Sequence, residues 1–343
     1  MKSKICVGLI CILLVLLTSC MPPLGNYLLK EVSFGDTEAD FSNIVFMSYS
    51  QGQVYLDLLD SIDDFHSNSQ YVSISDNNYT IKKVQVNQTT FPVCVKNDNF
   101  YTYSEVNHAL MQMDPQTGQE DLFFSFPNDT QIIGNYAVYN DYIIWIEGNE
   151  NRSSWKIRKC NIDTNYISTL AETNYLDNDF YTDLDIINDW FAYAQVDHNT
   201  ITFNAVNIMT GEEKQHSIDR TELPPKNIEC NGDILLWSTK VGNQYHGYLH
   251  QFDDNTTAIY HDDITNFTLI GDTIIAYSYL DSNEQMKVSL YSIPKQQVIQ
   301  QFDEMKSFNY IRTFAANDTH SSVAIIGLNS ESKKESLFIL KSR

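Results

Sequence analysis

Two series of turn signals advance together along this chain, and they restrict its fold more than any other feature. The first joins a short apolar run to a second run with alternating aromatics through a turn of Asn, Asp or Gly. Clear copies are Val95-Lys96-Asn97-Asp98-Asn99-Phe100-Tyr101, Tyr139-Asn140-Asp141-Tyr142-Ile143-Ile144-Trp145 and Ile187-Asn188-Asp189-Trp190-Phe191-Ala192-Tyr193. Two more are Cys230-Asn231-Gly232-Asp233-Ile234-Leu235-Leu236-Trp237 and Leu269-Ile270-Gly271-Asp272-Thr273-Ile274-Ile275, with weaker copies at Gln51-Gly52 and Asn317-Asp318. Successive turns lie about 39 to 48 residues apart, the range of propeller blades.

The second series lies downstream of the first. Met113-Asp114-Pro115-Gln116-Thr117-Gly118, Cys160-Asn161-Ile162-Asp163-Thr164-Asn165 and Val206-Asn207-Ile208-Met209-Thr210-Gly211 share one form: apolar, Asp or Asn, two variable residues, Thr, then Gly or Asn. Asp and Asn hydrogen-bond their own backbone, and Gly or Asn accepts positive φ, so this is hairpin chemistry. Two hairpins per repeat imply four strands, and four-stranded sheets repeated around an axis make an all-β propeller. The period fits about seven blades, with six and eight as the neighbouring counts. Ile, Val and Thr are plentiful and aromatics make up 13% of the chain, a strand-favouring composition.

The chain ends on Leu337-Phe338-Ile339-Leu340, which reads as the third strand of the last blade. Tyr27 to Val32 is placed to supply its fourth, removing an exposed sheet edge. Blade 1 then takes strands near 43–49, 53–58, 70–75 and 79–86. Trp145, Tyr193 and Trp237 share one offset from the turn Asp, which predicts an inter-blade packing layer.

The first 19 residues are different. Lys2 and Lys4 precede an apolar run from Ile5 to Leu17, too short to span a bilayer and suited to a signal-peptide core. The run ends in Leu17-Thr18-Ser19-Cys20, which resembles the lipobox of bacterial lipoproteins. That resemblance implies cleavage before Cys20 and acylation of its thiol, anchoring the protein on the extracytoplasmic face of a cell membrane. The expected organisation is therefore 1–19 signal peptide, 20–26 lipidated Cys20 and tether, and 27–343 one propeller. The repeat pattern itself is similar to the TolB-type and quinoprotein-like propellers, without the signature of a named functional family.

Removing residues 1–19 takes two lysines and no acid, moving the formal charge from −22 to −24. Such a surface repels phosphate backbones, so nucleic acid is excluded as a partner class. Cys94, Cys160 and Cys230 remain after Cys20. They fall on separate blades, so no disulfide is expected.

No His-Glu-x-x-His, Gly-x-Ser-x-Gly, phosphate-cradling Gly loop or paired-Cys motif is present. The candidate ligand groups lie on the face opened by the loops between second and third strands. The segment 174–183 interleaves Tyr175, Asp177, Asp179 and Tyr181 as an acidic aromatic loop. A sugar or a calcium ion would suit it, although its spacing departs from an EF-hand. Trp155, Tyr245 and His246 are further stacking or polar candidates, with inter-blade packing the other reading of Trp155. Neither a cofactor nor a bound metal is otherwise expected, and the chain reads as a monomer. The leading reading is a membrane-anchored binding or scaffold propeller for a protein, peptide or glycan. The rival is a glycan-active hydrolase or lyase, with acids and His246 near the central opening; a purely structural envelope role is the third.

Overall fold

A computed structural model describes residues 27–342 except 33–43, 60–68, 85–90, 97–98, 105, 115–116, 128–131, 149–153, 174–178, 183, 221–222, 306 and 330–333. It consists of seven four-stranded antiparallel sheets. In chain order the blades occupy 44–84, 91–125, 132–173, 179–219, 226–261, 264–302 and 310–342. The last is completed by Tyr27–Val32, which pairs antiparallel with Lys334–Ser342 from Tyr27↔Ser342 to Val32↔Leu337. First strands of neighbouring blades pack on one another in five of the seven seams, so they form the inner ring. Among the described residues no helix is long and apolar enough to cross a membrane.

The core is divided rather than central. Seven clusters of buried apolar residues occur among the described residues, one in each seam between neighbouring blades. Side chains alternate across a strand, so each second strand feeds two seams. In Ile234–Val241, Leu235 and Trp237 pack toward blade 4 while Ile234 and Leu236 pack toward blade 6. In Tyr142–Gly148, Ile143 and Trp145 face blade 2 while Ile144 and Ile146 face blade 4. Trp145, Tyr193 and Trp237 all join the seam with the preceding blade, as their common offset predicts.

Both turn series lie on one face of the ring. The N–H opening the outer hairpin turn donates to a carbonyl of the inner turn in five blades. The pairs are Asp76–Gly52, Ile162–Asp141, Ile208–Asp189, Phe252–Asp233 and Ile293–Thr273. The expected local chemistry is present: Asn161 Oδ1 accepts from the Thr164 N–H, and Asn207 Oδ1 accepts from the Met209 and Thr210 N–H groups. Gly118, Asn165 and Gly211 carry the positive φ. Lysines latch this turn face across seams. Lys159 donates to Ile208 O, Lys214 to Gly232 O and Lys341 to Asp76 O. The opposite face, made of second-to-third-strand loops and inter-blade connections, is called the loop face below.

Cys160 and Cys230 are free and buried, with burial pushing the Cys230 thiol up to about 12. Cys94 lies on an inner strand, Phe91–Lys96, with its side chain outside the described residues.

Two glycines separate conformational cost from packing cost. Gly232 has φ +98°, and a Cβ there would sit 2.4 Å from Trp190 Nε1; Gly211 has φ +73° with nothing near. Gly211→Ala should therefore cost on the order of 1 kcal/mol, the left-handed penalty alone. Gly232→Ala should cost about 1–3 kcal/mol more from overpacking. Urea unfolding of both variants measures the difference, and equal costs would show that Trp190 yields freely.

Candidate functional site

The described part of the loop face belongs mainly to blades 4 to 7. Blade 5 presents a tight hairpin there, Ile234–Val241 turning through Gly242 and Asn243 into Gln244–Gln251. Tyr245 and His246 start the returning strand, half-buried at its loop-face end. Strand alternation turns them to opposite sides of the blade. The Lys226 ammonium lies 4.7 Å from the Tyr245 ring centroid. His246 Nδ1 lies 2.8 Å from Asp262 Oδ1, in ion-pair range but outside hydrogen-bond geometry, and the Asp262 side chain is 67% exposed. Next to Asp262, His261 packs against Tyr279 at 4.2 Å and Tyr277 at 4.9 Å, and the Tyr279 hydroxyl accepts from Gln301 Nε2. Burial lowers the His261 pKa, with Asp262 and Asp263 acting against that shift. The rim thus offers an imidazole close to a carboxylate, a cation over an aromatic face, and a second imidazole packed on two tyrosines. These groups can hydrogen-bond and stack on a polar ligand, and the imidazole–carboxylate pair can move a proton.

Three expectations are corrected. His246 stands on a third strand, in the outer half of its blade, and not at the central opening. Trp155 begins the strand Trp155–Asn161 and is buried, edge-on to Tyr193 at 5.6 Å in the seam between blades 3 and 4. That seam uses its indole as core. The segment 174–183 is not one loop, because Asp179–Tyr181 forms the inner strand of blade 4 and pairs with Val196, Gln195 and Ala194. Tyr181 there packs against the apolar cluster between blades 4 and 5. Tyr175 and Asp177 lie outside the described residues, as does the side chain of Asp179. Cys20 and the tether lie outside them too. Among the described residues, no group of three or more His, Cys, Asp or Glu could hold a metal ion.

The sequence reading missed two constellations. Ahead of its second strand, blade 4 carries the segment 184–189, where most blades have a tight turn. Leu184, Asn188 and Asp189 have positive φ, and Leu184 and Ile187 are buried. From this segment Asn188 Nδ2 donates to Asp272 Oδ1 of blade 6 at 2.6 Å, and Asp185 Oδ1 lies 4.0 Å from His320 Nε2 of blade 7. Asp189 Oδ1 accepts from the Tyr139 hydroxyl of blade 3. A segment touching blades 3, 6 and 7 from blade 4 bridges the axis at the turn face. The trace of it in the sequence is the interval from Asp141 to Asp189, the longest between turns at about 48 residues.

The second is a histidine pair in the outer seam between blades 4 and 5. The His216 and His250 rings stack at 3.8 Å, with Thr257 Oγ1 2.9 Å from His250 Nδ1 and 3.5 Å from His216 Nε2. Trp237 and Phe252 flank them. Burial, then the His250 charge, lowers the His216 pKa to about 4, and burial lowers that of His250 against the pull of Asp254. No residue spacing signals this pair, since its members are 34 positions apart on different blades.

No family model matches the chain, and no curated protein matches it. Solved structures do. An oligogalacturonate lyase in complex with manganese is 9% identical, with 93% of this chain and 98% of that one covered, at a TM-score of 0.58. The Dos1 propeller is also 9% identical, covering 92% and 95%, at 0.53. TolB from Acinetobacter baumannii gives a looser overlay, 11% identical over 74% and 64%, at 0.42. At these identities the first two likenesses show the fold alone, a propeller, here of seven blades.

The histidines predict a pH response. A folded-state pKa held below the unfolded value contributes stability that is complete above about 6.5 and is lost as pH falls toward the folded value. Asp197 and Asp281, whose pKa values are lowered mainly by backbone N–H donors, withdraw theirs only below 3.8. The melting temperature should therefore fall between pH 6.5 and 4. His216→Gln with His250→Gln should flatten that fall, leaving a residue due to His261. An unchanged slope in the double variant would remove the pair from the account.

Proposed function

We propose that this chain is a lipid-anchored, extracytoplasmic binding or scaffold propeller that engages a protein, peptide or glycan through its loop face. The observation that supports it best is the blade 5 rim. There Tyr245 under Lys226 and His246 against Asp262 stand at the exposed end of a hairpin held rigid by two packed seams. Rigid aromatic and polar groups on a fixed scaffold suit recognition, because little side-chain freedom is lost on binding. The bridged axis at the other face leaves the loop face as the side from which a ligand reaches the ring. The anchor half of the proposal rests on the Leu17-Thr18-Ser19-Cys20 resemblance and the apolar run before it.

A glycan-active lyase is the second reading. The closeness of His246 to Asp262 is the observation that favours it, since an imidazole beside a carboxylate can take a proton from a sugar carbon. The full-length overlay on oligogalacturonate lyase supplies the reaction class to try first.

One experiment separates them. The protein spanning 21–343 is screened on a glycan array and in pull-downs from envelope extract, and each ligand found is incubated with excess protein. Binding without product, weakened about tenfold by Tyr245→Ala (roughly 1.4 kcal/mol), is expected. Unsaturated product that disappears in His246→Gln would replace the binding reading with the lyase. Binding unaffected by either substitution would move the site off this rim. Metabolic labelling with a palmitate analogue tests the anchor, and Cys20→Ala should abolish the label.

A further inference from the structure

The point at which the tether joins the ring fixes which face a membrane-held propeller presents. Tyr27 pairs with Ser342, at the end of a third strand that starts opposite Asn329 on the loop face and finishes on the turn face. Lys341, one residue from that end, donates to Asp76 O in an outer turn of blade 1. The entry point is held through both backbone groups of Tyr27: its N–H donates to Gln300 Oε1 at 3.2 Å, and Gln300 Nε2 donates to its carbonyl oxygen at 2.8 Å. The chain therefore enters the ring at the turn face, on the outermost strand of the last blade.

Seven residues, 20–26, separate the anchoring thiol from this point, a contour of at most about 24 Å. The strand Tyr27–Val32 carries the chain a further ~20 Å along the blade to the loop face. Bringing the loop face to the membrane would use nearly the whole tether in running back along the blade edge. Letting the turn face rest there uses almost none.

We infer that the propeller stands with its turn face toward the membrane, and that its loop face, with the blade 5 rim, points into the aqueous compartment. The inference rests on the anchor reading above and deepens it. Its partner is one that approaches from the aqueous side, and the axis is bridged on the side that faces lipid.

Single cysteines on one blade provide the test. Asp253→Cys puts a fluorescent donor on the turn face of blade 5, and Asn243→Cys puts one on its loop face; both positions are exposed. The parent protein sets the background from the native thiols. Energy transfer to an acceptor on lipid headgroups is read in two arms. One uses the processed protein reconstituted from membranes into vesicles. The other holds residues 21–343 to nickel-chelating lipid through an N-terminal hexahistidine, which keeps the attachment point without acylation. Transfer at least twofold greater from position 253 in both arms is expected. Equal or greater transfer from position 243 in the second arm overturns the orientation. Failure of the first arm to retain protein on vesicles, with the second behaving as expected, overturns the anchor alone.

Discussion

Every other property of this molecule depends on one packing condition: each sheet must bury both of its faces against neighbours. A four-stranded sheet with one solvated face would alternate polar and apolar residues along each strand. The second strands here do not. Trp190–Val196 and Ile274–Leu280 are buried at nearly every position, because odd residues serve one seam and even residues the other. Such a strand is stable only inside a closed ring, since an end blade would expose an apolar face. Closure by Tyr27–Val32 is thus a condition of the fold. Leu29 and Val32 from that strand sit in the seams on either side of the last blade.

The same condition makes the two faces unequal. At the turn face, hairpins are short, their turns hydrogen-bond to one another, and lysines latch carbonyls of the next blade. Residues 184–189 add contacts from blade 4 to blades 6 and 7. At the loop-face end of the inner strands the pairing loosens instead. The first and second strands shift register there in six blades: at Ile44/Phe46, Pro92/Cys94, Ile132/Tyr136, Lys226/Ile228, Ile264/Asn266 and Ile311/Thr313. A bulge twists a strand and re-aims its side chains. Asn227 and Asn266 come within 3.5 Å across one seam this way, and Asn266 donates to Ile311 O across the next. Arg312, the residue added at the last bulge, reaches the buried Glu335 at 2.8 Å.

These differences explain what could be read from the chain alone. Turns are local: Asn207 caps Met209 and Thr210 two and three residues away, so the pattern that builds the hairpin is written in consecutive letters. Blade number and ring closure follow from counting such letters. A residue's facing does not. Trp155 looks alike as a stacking platform and as core until the register Gly148↔Trp155 places it against Tyr193. Asp179–Tyr181 reads as loop because its first residue disfavours strands, yet pairing with Gln195 and its neighbours outweighs that preference. The His216–His250 stack and the Asn188–Asp272 contact join residues of different blades, and no local pattern carries that information.

The asymmetry of the faces bears on function more than the fold does. A propeller hosts unrelated activities, so likeness of architecture to a lyase or to the Dos1 propeller does not choose among them. What chooses is where residues are free of structural duty. On the turn face, Asp141, Asp189, Asp233 and Gly52 each give a carbonyl to the interlock, and Lys159, Lys214 and Lys341 spend their ammonium groups on neighbouring blades. Changing them for a ligand would weaken seams. On the blade 5 rim, the contacts of Lys226 with Tyr245 and of His246 with Asp262 are made by partly exposed side chains standing above the seam clusters. Recognition can occupy such a rim without dismantling the ring beneath it, and it is there that chemistry particular to this chain is to be sought.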